Sequence, residues 1–409
     1  MAPDVDEAVE VVVRESYGRL VAYLASTTSD IEAAEDALAD AFEAALRSWP
    51  ERGVPERPES WMLTAARRSI IGSGRRRDTA QRALVSLAVL ADERAEPAEH
   101  SVVPDKRLEL LFACAHPAID PSVHSPLMLQ SVMGLDAVRI GAAFLVAPAT
   151  LGQQLVRAKR KIKVAGVPFR VPERDELPER ASAVFDAVYA AYGTGWDDLE
   201  ADRRRRVGLV GESLRLAELL CELLPEDAEA HGLGALLWHT EARSTARRDA
   251  DGAFVPLSRQ DPATWSVDAI GRGDRHLMAA AALHAPGPYQ VQAAIQAVHN
   301  RRRSTGVTDW PIVVSLYGTL LAMRPSIGAA VARAGALLEA EGPDAALAAL
   351  DGLDHASVAG YQPFWAVRME ALLRSGASGQ ELSAAYAKAV ELAADPSVRE
   401  HLHRRINDG

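Results

Sequence analysis

The stretch GLDAVRIGAAFLVAPATLGQQLVRAKRKIKVAGVPFR, Gly134 to Arg170, holds two short helical patterns, a four-residue joint and a basic tail. In the second pattern Leu151, Leu155, Ala158 and Ile162 recur at i, i+4, i+7 and i+11, one side of a 3.6-residue helix. Thr150, Gln153, Gln154, Arg157, Arg160 and Lys161 fall largely elsewhere. The first pattern, about Asp136 to Phe144, offers Ile140, Ala143 and Phe144 to the same core, and Asp136 is placed to cap its free N–H groups. Leu145 to Pro148 make the turn. Pro148 suits the first turn of a helix, where its missing N–H costs nothing and its φ is already helical. The spacing predicts a helix-turn-helix.

From Leu145 to Val171 there are six Lys or Arg residues and no Asp or Glu, in a chain of net charge -11. A lone basic helix is more often a solvated surface. Here the turn, the packed stripe and the cationic run coincide, which is the footprint of a phosphate-binding face.

With 409 residues and 48 % hydrophobic residues the chain is long enough for more than one packed domain. Aromatics are only 5 %, and the abundance of Leu, Ala, Glu and Arg favours an all-α fold. Cys114 and Cys221 are too few for a disulfide framework or a zinc site and read as ordinary buried residues. The acidic start MAPDVDEAVE is no signal peptide, and no long apolar run suggests a membrane span. A cytoplasmic protein is expected.

Upstream, apolar residues from Val5 to Leu24 give a first helix, and a second runs from about Asp30 to Trp49. The second buries Ile31, Ala34, Leu38, Ala41, Phe42 and Ala45, and sets Glu32, Asp36, Asp40 and Glu43 along another face. Such a row is either a solvated ridge or a protein docking surface, and spacing alone does not separate the two. Pro58 opens a third helix carrying Trp61, Met62, Ala65, Ala66 and Ile70, which is expected to fray or stop at Gly72 and Gly74. Arg67, Arg68, Arg75, Arg76 and Arg77 make it a second cationic cluster. Arginines beside an aromatic suit phosphate contact and base stacking, although a Trp such as Trp61 is more commonly core.

The segment from Asp78 to Asp105 is weakly periodic and reads as a linker; Lys106 to Phe112 and Pro126 to Met133 are expected helices. Prolines from Val167 to Pro178 mark another boundary. Beyond Glu179 the pattern is mostly helical, with an Asp-Gly turn at Asp251 that suits a small hairpin. Ala336-Leu-Leu-Glu-Ala-Glu-Gly-Pro and Ala371-Leu-Leu-Arg-Ser-Gly share a register about 35 residues apart, the period of tetratricopeptide (TPR) helix pairs. In the second copy Trp365, Ala366, Leu373, Gly376, Ala385, Tyr386, Ala389, Leu392 and Pro396 stand where that consensus wants large, small, turn and terminating residues. Helix pairs of this sort make binding surfaces more often than active sites.

Catalytic constellations are poor: there is no Gly-rich phosphate loop, Cys-x-x-Cys, His-Glu-x-x-His or Gly-x-Ser-x-Gly. Cys114-Ala-His116 puts its candidate ligands on different faces of a helix, His401 and His403 share that objection, and Asp249 and Asp251 fit a turn better than a metal. The expectation is no enzyme, no cofactor and no metal.

Ala34-Glu-Asp-Ala-Leu-Ala-Asp-Ala-Phe, Trp61-Met-Leu-Thr-Ala-Ala-Arg-Arg and the run from Gly134-Leu-Asp to Val-Arg-Ala-Lys-Arg-Lys-Ile resemble the two domains of extracytoplasmic-function (ECF) sigma factors of the sigma-70 family. Leu224-Pro-Glu-Asp, Gln260-Asp-Pro-Ala-Thr-Trp, Gly287-Pro-Tyr-Gln-Val-Gln, Asp309-Trp, Ser315-Leu-Tyr and Arg324-Pro-Ser look like the subgroup with a long C-terminal helical extension. The resemblance implies a region 2-like domain over 1–77, a linker over 78–104, a region 4-like domain over 105–170, a proline-rich linker over 171–180, a helical extension over 181–305 and a TPR-like domain over 306–409. By the same resemblance Glu35, Asp36, Asp40 and Phe42 would dock on core RNA polymerase. Trp61, Arg67, Arg68, Arg75, Arg76 and Arg77 would meet the −10 promoter element. Thr150, Gln153, Gln154, Arg157, Lys159, Arg160 and Lys161 would meet the −35 element, with Gln153 and Arg157 reading bases and Lys159, Arg160 and Lys161 gripping phosphates. The implied partners are core polymerase, promoter DNA and a protein or small-molecule regulator at the C-terminal domain. The competing expectation is a helical-repeat adaptor that keeps the sigma-like domains only as a fold.

Overall fold

A computed structural model of the chain describes residues 5–76, 105–144, 146–173, 176–197, 203–377 and 379–407. The expected linker over 78–104 and Arg77 lie outside them. The fold is all-α, and the described residues hold no β-strand. At the Asp-Gly turn Gly252 takes φ 82°, and Arg248 and Phe254 form one isolated antiparallel bridge instead of a hairpin.

The chain divides into two compact units, Met1–Leu216 and Ala217–Gly409. The first opens with α1 (Val5–Thr28), α2 (Ile31–Arg52) and α3 (Pro58–Arg76), packed against one another. Asp30, in extended backbone, starts α2 by accepting a hydrogen bond from the Ala33 N–H at 3.2 Å. Ile31, Ala34, Leu38, Ala41, Ala45 and Trp49 then form its buried stripe. Helix α3 runs on through Gly72 to Arg76 where a stop was expected. Two glycines weaken a helix by about 1 kcal/mol each, too little to end one seated through Met62, Ala66 and Ile70.

There follow α4 (Arg107–Cys114), α5 (Pro121–Ser131), α6 (Ala137–Phe144), α7 (Pro148–Ala165) and α8 (Leu177–Asp197). Helix α5 begins five residues before the expected start at Pro126, because Asp120 caps the Ser122 N–H at 2.9 Å and Pro121 fills the first helical position. Pro126 is instead buried inside the helix, giving up one backbone hydrogen bond. Helix α8 packs on α5 and α4, so residues 171–180 join two parts of one unit. Helix α1 reaches this second group of helices at Gly18, where an added Cβ would lie 1.9 Å from the Val132 carbonyl oxygen. Only glycine lets the two backbones meet there. The expected domains over 1–77 and 105–170 are thus packed together within the first unit.

Helix α9 (Arg203–Leu223) carries the division between the units. The second unit continues with α10 (Ala228–Glu241), α11 (Val267–Ala282), α12 (Pro288–Thr305), α13 (Trp310–Met323), α14 (Ile327–Ala340), α15 (Pro343–Asp351), α16 (His355–Val358), α17 (Gln362–Arg374), α18 (Gln380–Glu391) and α19 (Pro396–Asn407). Val291, Ile295 and Val298 of α12 share one core cluster with Val313 and Leu320 of α13. The boundary expected between 305 and 306 therefore falls inside a core. Farther on, Ala385 and Ala389 of α18 are fully buried against Met369 and Leu372 of α17, small residues where two helices approach closely.

Candidate nucleic-acid interface

Helix α6 ends at Phe144 and α7 starts at Pro148. Gly141 makes the joint tight: its carbonyl accepts the Val146 N–H at 2.9 Å, and a Cβ there would stand 2.5 Å from the Val146 oxygen. Leu151, Leu155, Ala158 and Ile162 are all buried, so the predicted stripe is the one that seats α7. At about 100° per residue, Thr150, Gln153, Arg157 and Lys161 lie within roughly 60° of one line on the opposite side. All four are exposed, as is Arg160, and Gln154 is half-buried at the edge.

Lys159 is not on that face. Two positions from Arg157 it is rotated by about 200°, and its side chain is 8 % exposed. Its Nζ donates to both carboxylate oxygens of Glu35 on α2, at 2.6 and 2.8 Å. Ser131 Oγ adds a third hydrogen bond to Glu35 at 3.3 Å. One turn along, Lys163 pairs with Asp30 at 2.5 Å, beside the α2 cap. The residue expected to grip phosphate and one expected to dock on polymerase therefore neutralise each other. The cause is local: a carboxylate and an ammonium facing each other with little water left between them hold one another strongly. Tyr17 of α1 packs beside Gly134, between α5 and α6, and burial, with the Glu35 charge, pushes its phenol well above the ordinary range.

The other docking residues stay outside. Asp36 and Asp40 are exposed and Phe42 is half-buried. Asp40 accepts a 2.5 Å hydrogen bond from Ser69 Oγ of α3. On α3, Arg67 departs from its expected role. It is 8 % exposed, donates to the Tyr23 hydroxyl at 2.5 Å and lies 5.2 Å from the centre of that ring. A guanidinium held this way braces α3 on α1 and does not reach a phosphate. Trp61 packs edge-on against Trp49, ring centres 5.3 Å apart, and is half-buried. Arg68 is exposed. The side chains of Arg75 and Arg76, like Arg77, lie outside the described residues.

Sequence reasoning missed Asp30 and Lys163 as partners across the α2–α7 contact, and Ser131 of α5 beside it, because nothing in linear spacing records which helices meet. It also separated residues of the second unit that the structure gathers. Cys221, expected to be an ordinary buried residue, lies with His231 and His276 so that their ligand atoms fall within 4.8 Å of one another. His116, by contrast, uses Nδ1 to accept the Ala118 N–H at 3.1 Å, a local turn. A cavity of about 730 Å³ opens in the second unit, lined by Phe254, His299, Trp310, Glu370, Arg374 and Arg405 among others. Glu370 there takes hydrogen bonds from Arg374 and Arg405 at 2.7 to 2.9 Å. No described helix is long and apolar enough to cross a membrane.

Residues 12–80 match the Sigma-70 region 2 family. Residues 180–281 match a family of unknown function, DUF6596. The chain is 33 % identical over 408 residues to "Uncharacterized protein R00370" of Rhizobium meliloti (strain 1021), covering 98 % of this chain and 95 % of that protein. No solved structure matches. With region 2 at its start, an exposed basic helix face behind it and a helical unit after it, the chain belongs to the sigma-70 family, in a form with a C-terminal extension.

Proposed function

We propose that this protein is an ECF-type sigma factor that directs core RNA polymerase to a restricted set of promoters. The observation that carries this reading is the line Thr150, Gln153, Arg157 and Lys161, exposed on a helix whose opposite side is fully seated. A helix of that width fits the major groove of DNA. There Arg and Gln make bidentate contacts to guanine and adenine, while Arg160 and Lys161 hold phosphates. Asp36 and Asp40 serve as the polymerase-docking carboxylates; Glu35 contributes to docking only once its pair with Lys159 opens. Arg68 and Trp61 are the described residues best placed for the −10 element. Work of this kind belongs in the cytoplasm, with the polymerase. The second unit, with TPR-like helix pairs over 306–409 and its 730 Å³ cavity, is the seat of a protein or small-molecule regulator.

In vitro transcription with full-length protein and core polymerase from a matched bacterium tests the reading. Promoter-dependent transcripts that vanish with Asp36→Arg support it. Retention of core polymerase with no promoter-dependent product and no salt-sensitive DNA binding supports the adaptor reading instead.

A further inference from the structure

Three helices of the DUF6596 segment bring one nitrogen or sulfur donor each to a common point. Cys221 stands near the end of α9, His231 in the first turns of α10 and His276 in the middle of α11. The Cys221 Sγ and one ring nitrogen from each histidine lie within 4.8 Å of one another. The cysteine is 6 % exposed and both histidines are half-buried.

Hydrogen bonds to the far nitrogens set the tautomers. His231 Nε2 lies 3.1 Å from the Pro225 carbonyl oxygen, which can only accept, so that nitrogen carries the proton. His276 Nε2 faces Glu218 Oε2 at 3.3 Å, and the other Glu218 oxygen is held by the Trp238 indole N–H at 2.6 Å. In the neutral form that binds a metal an imidazole has one N–H, and each Nδ1 then presents a lone pair. The two Nδ1 atoms stand 3.4 Å apart. Such a gap is bridged either by a proton, which needs one of the two rings charged, or by a metal ion between the two lone pairs.

The surroundings match what metal-binding imidazoles require. In metal sites the ring nitrogen away from the ion donates to a backbone carbonyl or a carboxylate, fixing ring orientation and ligand basicity. Pro225 and Glu218 fill those two parts here. Tetrahedral donors at about 2.0–2.3 Å from an ion sit roughly 3.3–3.8 Å apart, which the Nδ1 pair already meets. Gly234 walls the site closely: a Cβ there would be 3.1 Å from Cys221 Sγ and 3.4 Å from His276 Nδ1.

We propose that Cys221, His231 and His276 bind one zinc ion, with water as the fourth ligand, clamping α9, α10 and α11 together. Imidazole and thiolate donors suit zinc and reject magnesium and calcium, which take oxygen ligands. The Cys221 thiol, which donates to the Ala230 carbonyl at 3.3 Å, gives up its proton to solvent as the sulfur–zinc bond forms. Near pH 8, where an ordinary imidazole is already neutral, the thiol proton is the one released, close to one proton per ion.

The test uses full-length protein treated with chelator and titrated with cobalt(II), then with zinc. The expected result is uptake of one ion per chain, a thiolate-to-cobalt charge-transfer absorption, displacement of cobalt by zinc and release of about one proton per ion near pH 8. Cys221→Ser removes the absorption, Cys114→Ser leaves it, and Glu218→Gln weakens zinc binding roughly 10- to 100-fold. Circular dichroism confirms that each variant is folded. Absence of uptake by the unmodified protein overturns the proposal and leaves a metal-free His231–His276 hydrogen bond. An absorption that survives Cys221→Ser, or magnesium competing as well as zinc, overturns it too.

Discussion

Helices α3 and α7 are both basic, and in each the fold turns one cation inward and leaves others to solvent. On α3 the described interior cation, Arg67, is spent on Tyr23 of α1, while Arg68 beside it faces solvent. On α7 Lys159 is spent on Glu35 of α2, while Arg157, Arg160 and Lys161 stay outside. In each helix some positive charge holds the first unit together and some remains for a ligand. The lesson is that the count of positive residues on a helix says little about a DNA face; the angle each one takes around the axis decides.

The largest expected effect tests the inward half of that contrast. Lys159→Met leaves the largely buried Glu35 without its cation and should lower the stability of the first unit by about 3 kcal/mol, read from denaturant unfolding. The salt dependence of DNA binding should stay unchanged. A shallower salt slope in Lys159→Met would show that this lysine meets phosphate after all. Tyr23→Phe removes the oxygen that accepts from Arg67 and should cost roughly 1.5–2 kcal/mol in the same measurement; a loss near zero would detach Arg67 from any bracing role.

The outward half is tested on DNA. Arg157→Ala should narrow the preference for the cognate over a scrambled −35 sequence by about 1–3 kcal/mol, with little change in unfolding midpoint. Equal weakening on both sequences would make Arg157 a phosphate contact only. Smallest of all, Lys161→Ala should weaken every sequence alike and reduce the slope of log affinity against log salt by about 1. Sequence-dependent loss with Lys161→Ala would reverse the roles given to the two residues.

Much of the fold was legible in the chain. The stripe Leu151, Leu155, Ala158 and Ile162 gave α7 its seat, Asp136 caps α6 by accepting from the Val138 and Arg139 N–H groups, and the first three helices fall near their expected places. The errors have physical causes. Glycines in α3 and Pro126 in α5 do not end helices seated by other buried residues, Met62, Ala66 and Ile70 in one and Val123 and Leu127 in the other. The proline-rich stretch over 171–180 looked like a domain boundary, yet α8 beyond it has an apolar face that packs back on α5. In the candidate interface the exposed residues Gln153, Arg157 and Lys161 were legible from the packed stripe alone. Lys159 was misplaced because its fate depends on α2, more than a hundred residues upstream.

What the sequence by itself determined is periodic and local: helices, caps, the tight joint before Pro148 and the side of α7 that must be buried, because side-chain direction repeats every 3.6 residues whatever lies nearby. What only the tertiary structure decided is which polar groups meet. Glu35 with Lys159, Arg67 with Tyr23, and Cys221 with His231 and His276 are pairings between separate helices. Helix packing sets them, and a linear spacing carries no record of it.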